Sequence, residues 1–203
     1  MGGTCPKRRL FWHWCWPLLS AWWCFPCRPH PILPSGPGNL LVNGDFEEGT
    51  SRWSESYAAT FLTVTAPVSS GGWAASLHKS GVAGEILYIR QDVQVIPGAT
   101  YTLTGWIYKD EFAFEYALLR LDWRDSDGAD LISPLITDDN PFYRHVTVGP
   151  VAAPPDASIA RISAVAKIHD PSPANPVYFD NLSLTSNMIP RNRLPLLLKN
   201  RQG

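Results

Sequence analysis

From residue 28 onward the chain has no cysteine, since all four, Cys5, Cys15, Cys24 and Cys27, fall in its first 27 residues. No disulfide can staple what folds after them, so its stability has to come from packing and from any ion it holds. The Cys24-Phe25-Pro26-Cys27 pair has redox or metal-ligand spacing, but no second pair follows and no βαβ pattern surrounds it. The chain also lacks a charge excess: 17 basic and 18 acidic residues leave a net charge of −1. Nothing there favours nucleic acid, whose binding draws on a strongly basic face, and the local clustering that a polyanion would need does not show in the sequence. Long stretches of helical period are nearly absent, which leaves little room for helix. There is no Gly-x-Ser-x-Gly elbow, no His-Glu-x-x-His and no glycine-rich phosphate loop, and the five histidines at 13, 30, 78, 145 and 169 are scattered. Glu111 and Glu115 could flank a glycosidic bond, but any chain with 18 acids offers such pairs. The expectation is a protein that is not an enzyme.

What is present divides by composition. In residues 1–28, Lys7-Arg8-Arg9 precedes an apolar run from Leu10 to Cys27 that holds five of the nine tryptophans. A basic start followed by an apolar run is the layout of an export signal. Pro17 and Pro26 interrupt it, however, and no small-x-small cleavage site follows. An atypical signal peptide, a retained anchor and a segment that is not native sequence all remain open. Cys24 follows Trp22-Trp23 and not the small residues expected before a lipoprotein cysteine, so lipidation is not expected. The proline-rich residues 29–38 read as a linker. Residues 39–186 read as one domain, long enough to bury a core. The tail, 187–203, carries Leu194-Pro195-Leu196-Leu197-Leu198-Lys199-Asn200, too short to span a bilayer. It resembles short Leu-Pro-apolar tails of some exported bacterial proteins; the plainer reading is a disordered end. The expected product is a secreted or cell-surface monomer, with a terminus available for membrane or cell-wall attachment.

Within residues 39–186 the apolar period is two. The segment 39–42 reads as a short strand running into a polar turn, and β runs follow at 60–65 and from Trp73 through Leu77. From Glu85 to Ile96, Leu87, Ile89, Gln91, Val93 and Val95 share one face, with Ile86, Tyr88, Arg90, Asp92 and Gln94 on the other. From Tyr101 to Tyr108, Tyr101, Leu103 and Ile107 oppose Thr102, Thr104, Trp106 and Tyr108, while Gly105 leaves space on the core side. From Phe114 to Arg124, Ala117, Leu119, Leu121 and Trp123 oppose Tyr116, Leu118, Arg120, Asp122 and Arg124. The turn at 125–128 has an Asp-x-Asp-Gly, but the remaining ligands of a calcium loop are missing. Strands at 143–151, 159–168 and 177–185 bring the count to eight to ten, which suits an all-β, two-sheet jelly-roll sandwich.

Three stretches carry a family resemblance. Asn39-Leu40-Leu41-Val42-Asn43-Gly44-Asp45-Phe46-Glu47-Glu48-Gly49 with Trp53, Pro97-Gly98-Ala99-Thr100-Tyr101-Thr102-Leu103, and Val177-Tyr178-Phe179-Asp180-Asn181-Leu182-Ser183-Leu184 together resemble the jelly-roll carbohydrate-binding modules of cellulose, xylan and other β-glucans, a galactose-binding-domain-like group. The resemblance implies a β-sandwich that binds a polysaccharide or oligosaccharide without catalysis. It also implies a structural Ca²⁺ held by the Asp45 carbonyl, Glu47 and Asp180, with a further carbonyl from the 77–80 turn, where hard oxygen ligands would tie the first strand to the last. A pyranose has an apolar face and a hydroxyl rim, so its site needs an aromatic platform with polar groups beside it. Trp106, Tyr108, Tyr116, Arg120 and Asp122 alternate away from the core, as do Tyr88 and Arg90, and the resemblance makes that face the concave cleft. Phe112, Phe142 and Tyr143 are secondary candidates, while Trp53, Tyr101 and Trp123 are assigned to the core. The Asn181-Leu182-Ser183 sequon lies in a strand of a chain that looks bacterial and reads as chance. The alternative is a structural or adhesive surface domain that keeps the fold without the glycan.

Overall fold

The computed structural model describes residues 38–79, 82–110, 112–124, 130–170 and 175–188. The signal-like segment, the linker up to residue 37, the Leu-Pro-Leu tail, Ser80, Glu111 and the 125–128 turn lie outside them. The described residues form ten strands and no helix: β1 (Ser54–Glu55), β2 (Ala59–Val64), β3 (Ala74–Lys79), β4 (Ile86–Gln94), β5 (Thr100–Lys109), β6 (Phe114–Arg124), β7 (Leu131–Ile132), β8 (Asn140–Ala152), β9 (Ile159–Ile168) and β10 (Val177–Ser186). They make two antiparallel five-stranded sheets, one in the order β1-β4-β9-β6-β7 and the other β2-β3-β10-β5-β8. This is the expected two-sheet sandwich.

Each sheet turns its apolar set inward because successive side chains alternate across a strand. In β4 the inward set is Leu87, Ile89 and Val93; in β6, Ala117, Leu119, Leu121 and Trp123; in β9, Ile162, Ala164, Ala166 and Ile168, all of them buried. Tyr101, Leu103 and Ile107 of β5 and Phe179, Leu182 and Leu184 of β10 face them from the other sheet. Tyr101 and Trp123 meet edge to face with ring centroids 5.9 Å apart. The buried Tyr101 hydroxyl accepts from Ile96 N at 2.7 Å. The space over Gly105 is taken up by the side chains of Leu182 and Leu119, into which a Cβ would run. The period of β5 continues one residue past the expected Tyr108, so Lys109 points inward with 1% of its surface exposed. Its ammonium is ion-paired with Asp139 and donates to Thr137 O, which compensates its burial.

The opening segment is not the expected strand. Asn43, Phe46 and Arg52 all have positive φ (54°, 58° and 72°), which bends the chain into successive turns. It is nevertheless tied to both sheets. Leu40 N donates to Leu184 O and Leu182 N to Gly44 O, each at 2.7 Å, where the register of β10 shifts. Gly44 lies so close to that strand that a Cβ would strike the Leu182 carbonyl. The buried Asn39 carboxamide donates to Leu182 O and accepts from Leu41 N and Leu184 N. On the other side the Gln91 carboxamide accepts from Val42 N at 2.8 Å and donates to Val42 O at 2.9 Å. Phe46, packed against Trp53 and Phe61, plugs this end of the core. The strand expected to stop at Leu77 runs to Lys79, so residues 77–79 form ladder and not turn.

Candidate functional site

All seven residues expected to line one cleft do alternate away from the core, but the sheets divide them. Trp106 and Tyr108 lie on β5, in the sheet of β10 and β8, whereas Tyr88 and Arg90 lie on β4 and Tyr116, Arg120 and Asp122 on β6, in the other sheet. They face outward on opposite sides of the sandwich, so the single cleft expected from the sequence is two separate surfaces. The reason is that β5 and β6, consecutive in the chain, pair with different neighbours.

On the β5 surface the rings pack against one another. Trp106 lies 5.1 Å from the His145 ring; Tyr108 lies 5.5 Å from both Tyr143 and Tyr178. Tyr108 donates to the Asp110 carboxylate at 2.9 Å, and Tyr143 donates to Pro67 O at 2.9 Å, so the loop between β2 and β3 reaches across to β8. The same loop is held by two of the expected calcium ligands. The Asp180 carboxylate, fully buried, accepts from Ser69 N (2.7 Å), Ser70 N (3.1 Å) and Asn181 N (2.7 Å). Glu47, exposed, accepts from Gly72 N (2.7 Å) and Trp73 N (3.1 Å). Burial pushes the Asp180 carboxyl above its ordinary value against the pull of those amides, and the negative charge of Glu47 adds to the rise. Two carboxylates repelling each other across one loop are a hard-oxygen donor set of the kind Ca²⁺ takes. Five backbone amides already serve them, so an ion here would complete a built loop and would not create it. The carbonyl expected from the 77–80 turn is not offered by a turn, because 77–79 are in β3.

The other surface is open. Two adjoining recesses of about 400 and 300 Å³ lie along it and share Arg90 and Arg161. Val42, Arg52, Ser54, Gln91 and Asp92 complete the larger; Ile86, Tyr88, Arg120, Asp122, Arg124, Ser163 and Val165 complete the smaller. The β4–β9–β6 register sets Arg90, Ser163 and Arg120 in one row across the three strands, and Asp92, Arg161 and Asp122 in the next. Arg161 grips Asp92 with both arms, Nε to Oδ1 at 2.7 Å and Nη2 to Oδ2 at 2.8 Å. Arg120 bridges Asp122 and Asp130. The Arg90 guanidinium sits 5.4 Å from the Tyr88 ring centroid, and the Lys167 ammonium 5.8 Å from that of Tyr116. Lys167 is also paired with Glu115 at 2.7 Å. The hydrogen bond from Arg161 holds Asp92 below its ordinary value, aided by the fields of Arg161, Arg90 and Arg124 against a smaller effect of burial. Burial instead lifts Asp122, outweighing the contribution of Arg120.

Sequence reasoning missed Arg161 and Ser163, which share β9 with the core residues Ile162 and Ala164 and were legible as that strand's polar face. It could not find Arg52 or Val42, because the opening segment reaches the groove through turns. Of the secondary candidates, Phe112 and Phe142 are exposed and Tyr143 belongs to the packed surface.

No protein-family model and no curated protein matches the chain. Solved structures do. A family 16 carbohydrate-binding module is 22% identical over 72% of this chain and 99% of its own, with a TM-score of 0.55. The C-terminal family 22 carbohydrate-binding module of Clostridium thermocellum Xyn10B is 14% identical over 75% and 96%, at 0.56. A Stig cyclase from Fischerella sp. is 17% identical over 75% and 98%, at 0.59. The chain therefore has the β-sandwich fold of carbohydrate-binding modules, and that fold also serves a cyclase.

Proposed function

We propose that the protein is a non-catalytic, exported glycan-binding module whose site is the β4–β9–β6 surface. The observation that carries this reading is the pair of joined recesses flanked by Tyr88 and lined by fixed polar groups. Tyr88, which lines the smaller recess beside Arg90, would offer apolar area to the C–H face of a sugar. Asp92, Asp122 and Ser163 supply acceptors, and Arg161 and Arg120 supply donors already locked by ion pairs. Groups fixed before binding lose little freedom on meeting the sugar, which favours affinity in a wet, shallow groove where each contact is small. The likeness to carbohydrate-binding modules supports the same reading at the level of the fold.

The test is calorimetry of the full chain against xylan, mixed-linkage β-glucan and mannan. Tyr88→Ala should weaken binding roughly tenfold, as expected for one stacked ring with its buried area, and Trp106→Ala should leave it unchanged. Loss in Trp106→Ala with retention in Tyr88→Ala would move the site to the opposite surface. Silence from a folded protein, on these and on acidic glycans, would leave a structural or adhesive surface domain.

We propose further that Glu47, Asp180 and the Asp45 carbonyl hold a Ca²⁺ whose role is structural. That two carboxylates converge on the one β2–β3 loop supports this. An ion there would neutralise them and fasten the loop, on the side of the sandwich away from the groove.

A further inference from the structure

Resting on the glycan-binding reading, we infer that the groove is built for an acidic polysaccharide, one whose sugars carry carboxylate groups. The basis is the balance of charge and of hydrogen-bonding kind. Five arginines, 52, 90, 120, 124 and 161, line the two recesses, against Asp92, Asp122 and the flanking Asp130. Arg161 is consumed by Asp92, and Arg120 by Asp122 and Asp130. In the larger recess Arg52, Arg90 and Arg161 surround the single carboxylate of Asp92. Among the described residues, neither Arg52 nor Arg90 has a carboxylate within ion-pairing distance; Arg90 lies over Tyr88 instead. Among the described residues, two guanidinium groups thus face one recess with no ion pair of their own, although the whole chain is close to neutral.

A guanidinium is a pure donor. A sugar hydroxyl both donates and accepts, so a site for neutral sugar mixes carboxylates, carboxamides and cations. An arginine fork with no ion pair instead matches a group that only accepts, and a planar carboxylate takes two parallel N–H bonds from one fork. Tyr88 and Arg90 stand two residues apart on the outward face of β4, so a sugar at the smaller recess meets an apolar ring and a fork together. The hydroxyls that remain fall to Ser54 and the accepting edge of Asp92.

The experiment titrates the full chain with polygalacturonate and glucuronoxylan, and with the same two polymers after their carboxylates are reduced to neutral alcohols, at low and at moderate salt. At least one acidic polymer is expected to bind about tenfold or more tightly than its reduced form, with the gap shrinking as salt rises. Arg52→Gln and Arg90→Gln should each lower affinity for the acidic form more than for the reduced form. Arg90→Lys, which keeps the charge but not the fork, should recover only part of the loss. Near-ultraviolet circular dichroism checks that the variants fold. Equal binding of acidic and reduced polymers would overturn the inference and leave the glycan reading standing. Inorganic polyphosphate bound as tightly as polyuronate would also overturn it, reducing the groove to a patch of charge. Binding to none of these polymers, nor to the neutral panel, would overturn both readings.

Discussion

Asp92 and Asp122 stand in the same row of side chains with Arg161 between them, yet their carboxyls move in opposite directions. Asp92 is reached by both arms of Arg161 and falls below its ordinary value; Asp122 is almost wholly covered, and the cost of burying its charge raises it despite Arg120. The consequences for stability follow from linkage. A carboxyl whose folded value is raised contributes stability that is fully present below the unfolded value, 3.8, and is lost as pH rises through the folded one. Asp92 does the reverse, contributing above 3.8 and losing that contribution as pH falls through its lowered folded value. In a calorimetric pH series, the Tm of the unaltered protein minus that of Asp122→Asn should therefore decline as pH climbs from 3.8 upward. A difference that stays flat over that window would show that burial does not govern this carboxyl.

At the scale of strands, much was legible in the sequence and two things were not. The alternation in β4, β5, β6 and β9 identified the inward residues, because the period of two is a property of each strand by itself. It could not reveal which sheet a strand joins, since that depends on its partners, and β5 and β6 are chain neighbours that separate into different sheets. For that reason Trp106 and Tyr108 were grouped with Tyr116 and Arg120. The strand expected at 39–42 failed for a different cause: apolar content suggested a ladder, while Asn43 and Phe46 adopt left-handed backbone that no pattern of hydrophobicity announces. The fit between β5 and β10 is tight enough to test. Gly105→Ala puts a methyl group against Leu182 and Leu119, and should cost about 1–3 kcal/mol as overpacking. A denaturant midpoint unchanged by that substitution would mean the core there is looser than its geometry.

The molecule as a whole is a sandwich without disulfides from residue 38 onward, so its two sheets are joined by packing and by the opening segment, whose Glu47 shares with Asp180 the holding of the β2–β3 loop. An ion on that loop should act on stability and not on the groove. At a Ca²⁺ concentration about 100 times its Kd the melting temperature should rise roughly 5–10 °C, and a chelator should reverse the rise while glycan affinity stays constant. A Tm indifferent to Ca²⁺ would mean that the protein's own hydrogen bonds hold the loop without an ion.

The Gln91 carboxamide, which faces Val42 with one acceptor and one donor, is a side chain imitating a peptide unit. One seam of the sandwich is thus closed by a latch and not by a ladder. Two hydrogen bonds from one side chain to one peptide unit fix how far the opening segment stands from that sheet without adding a strand to it. Since Val42 and Gln91 also border the larger recess, the domain has a clasp set into the rim of its own groove.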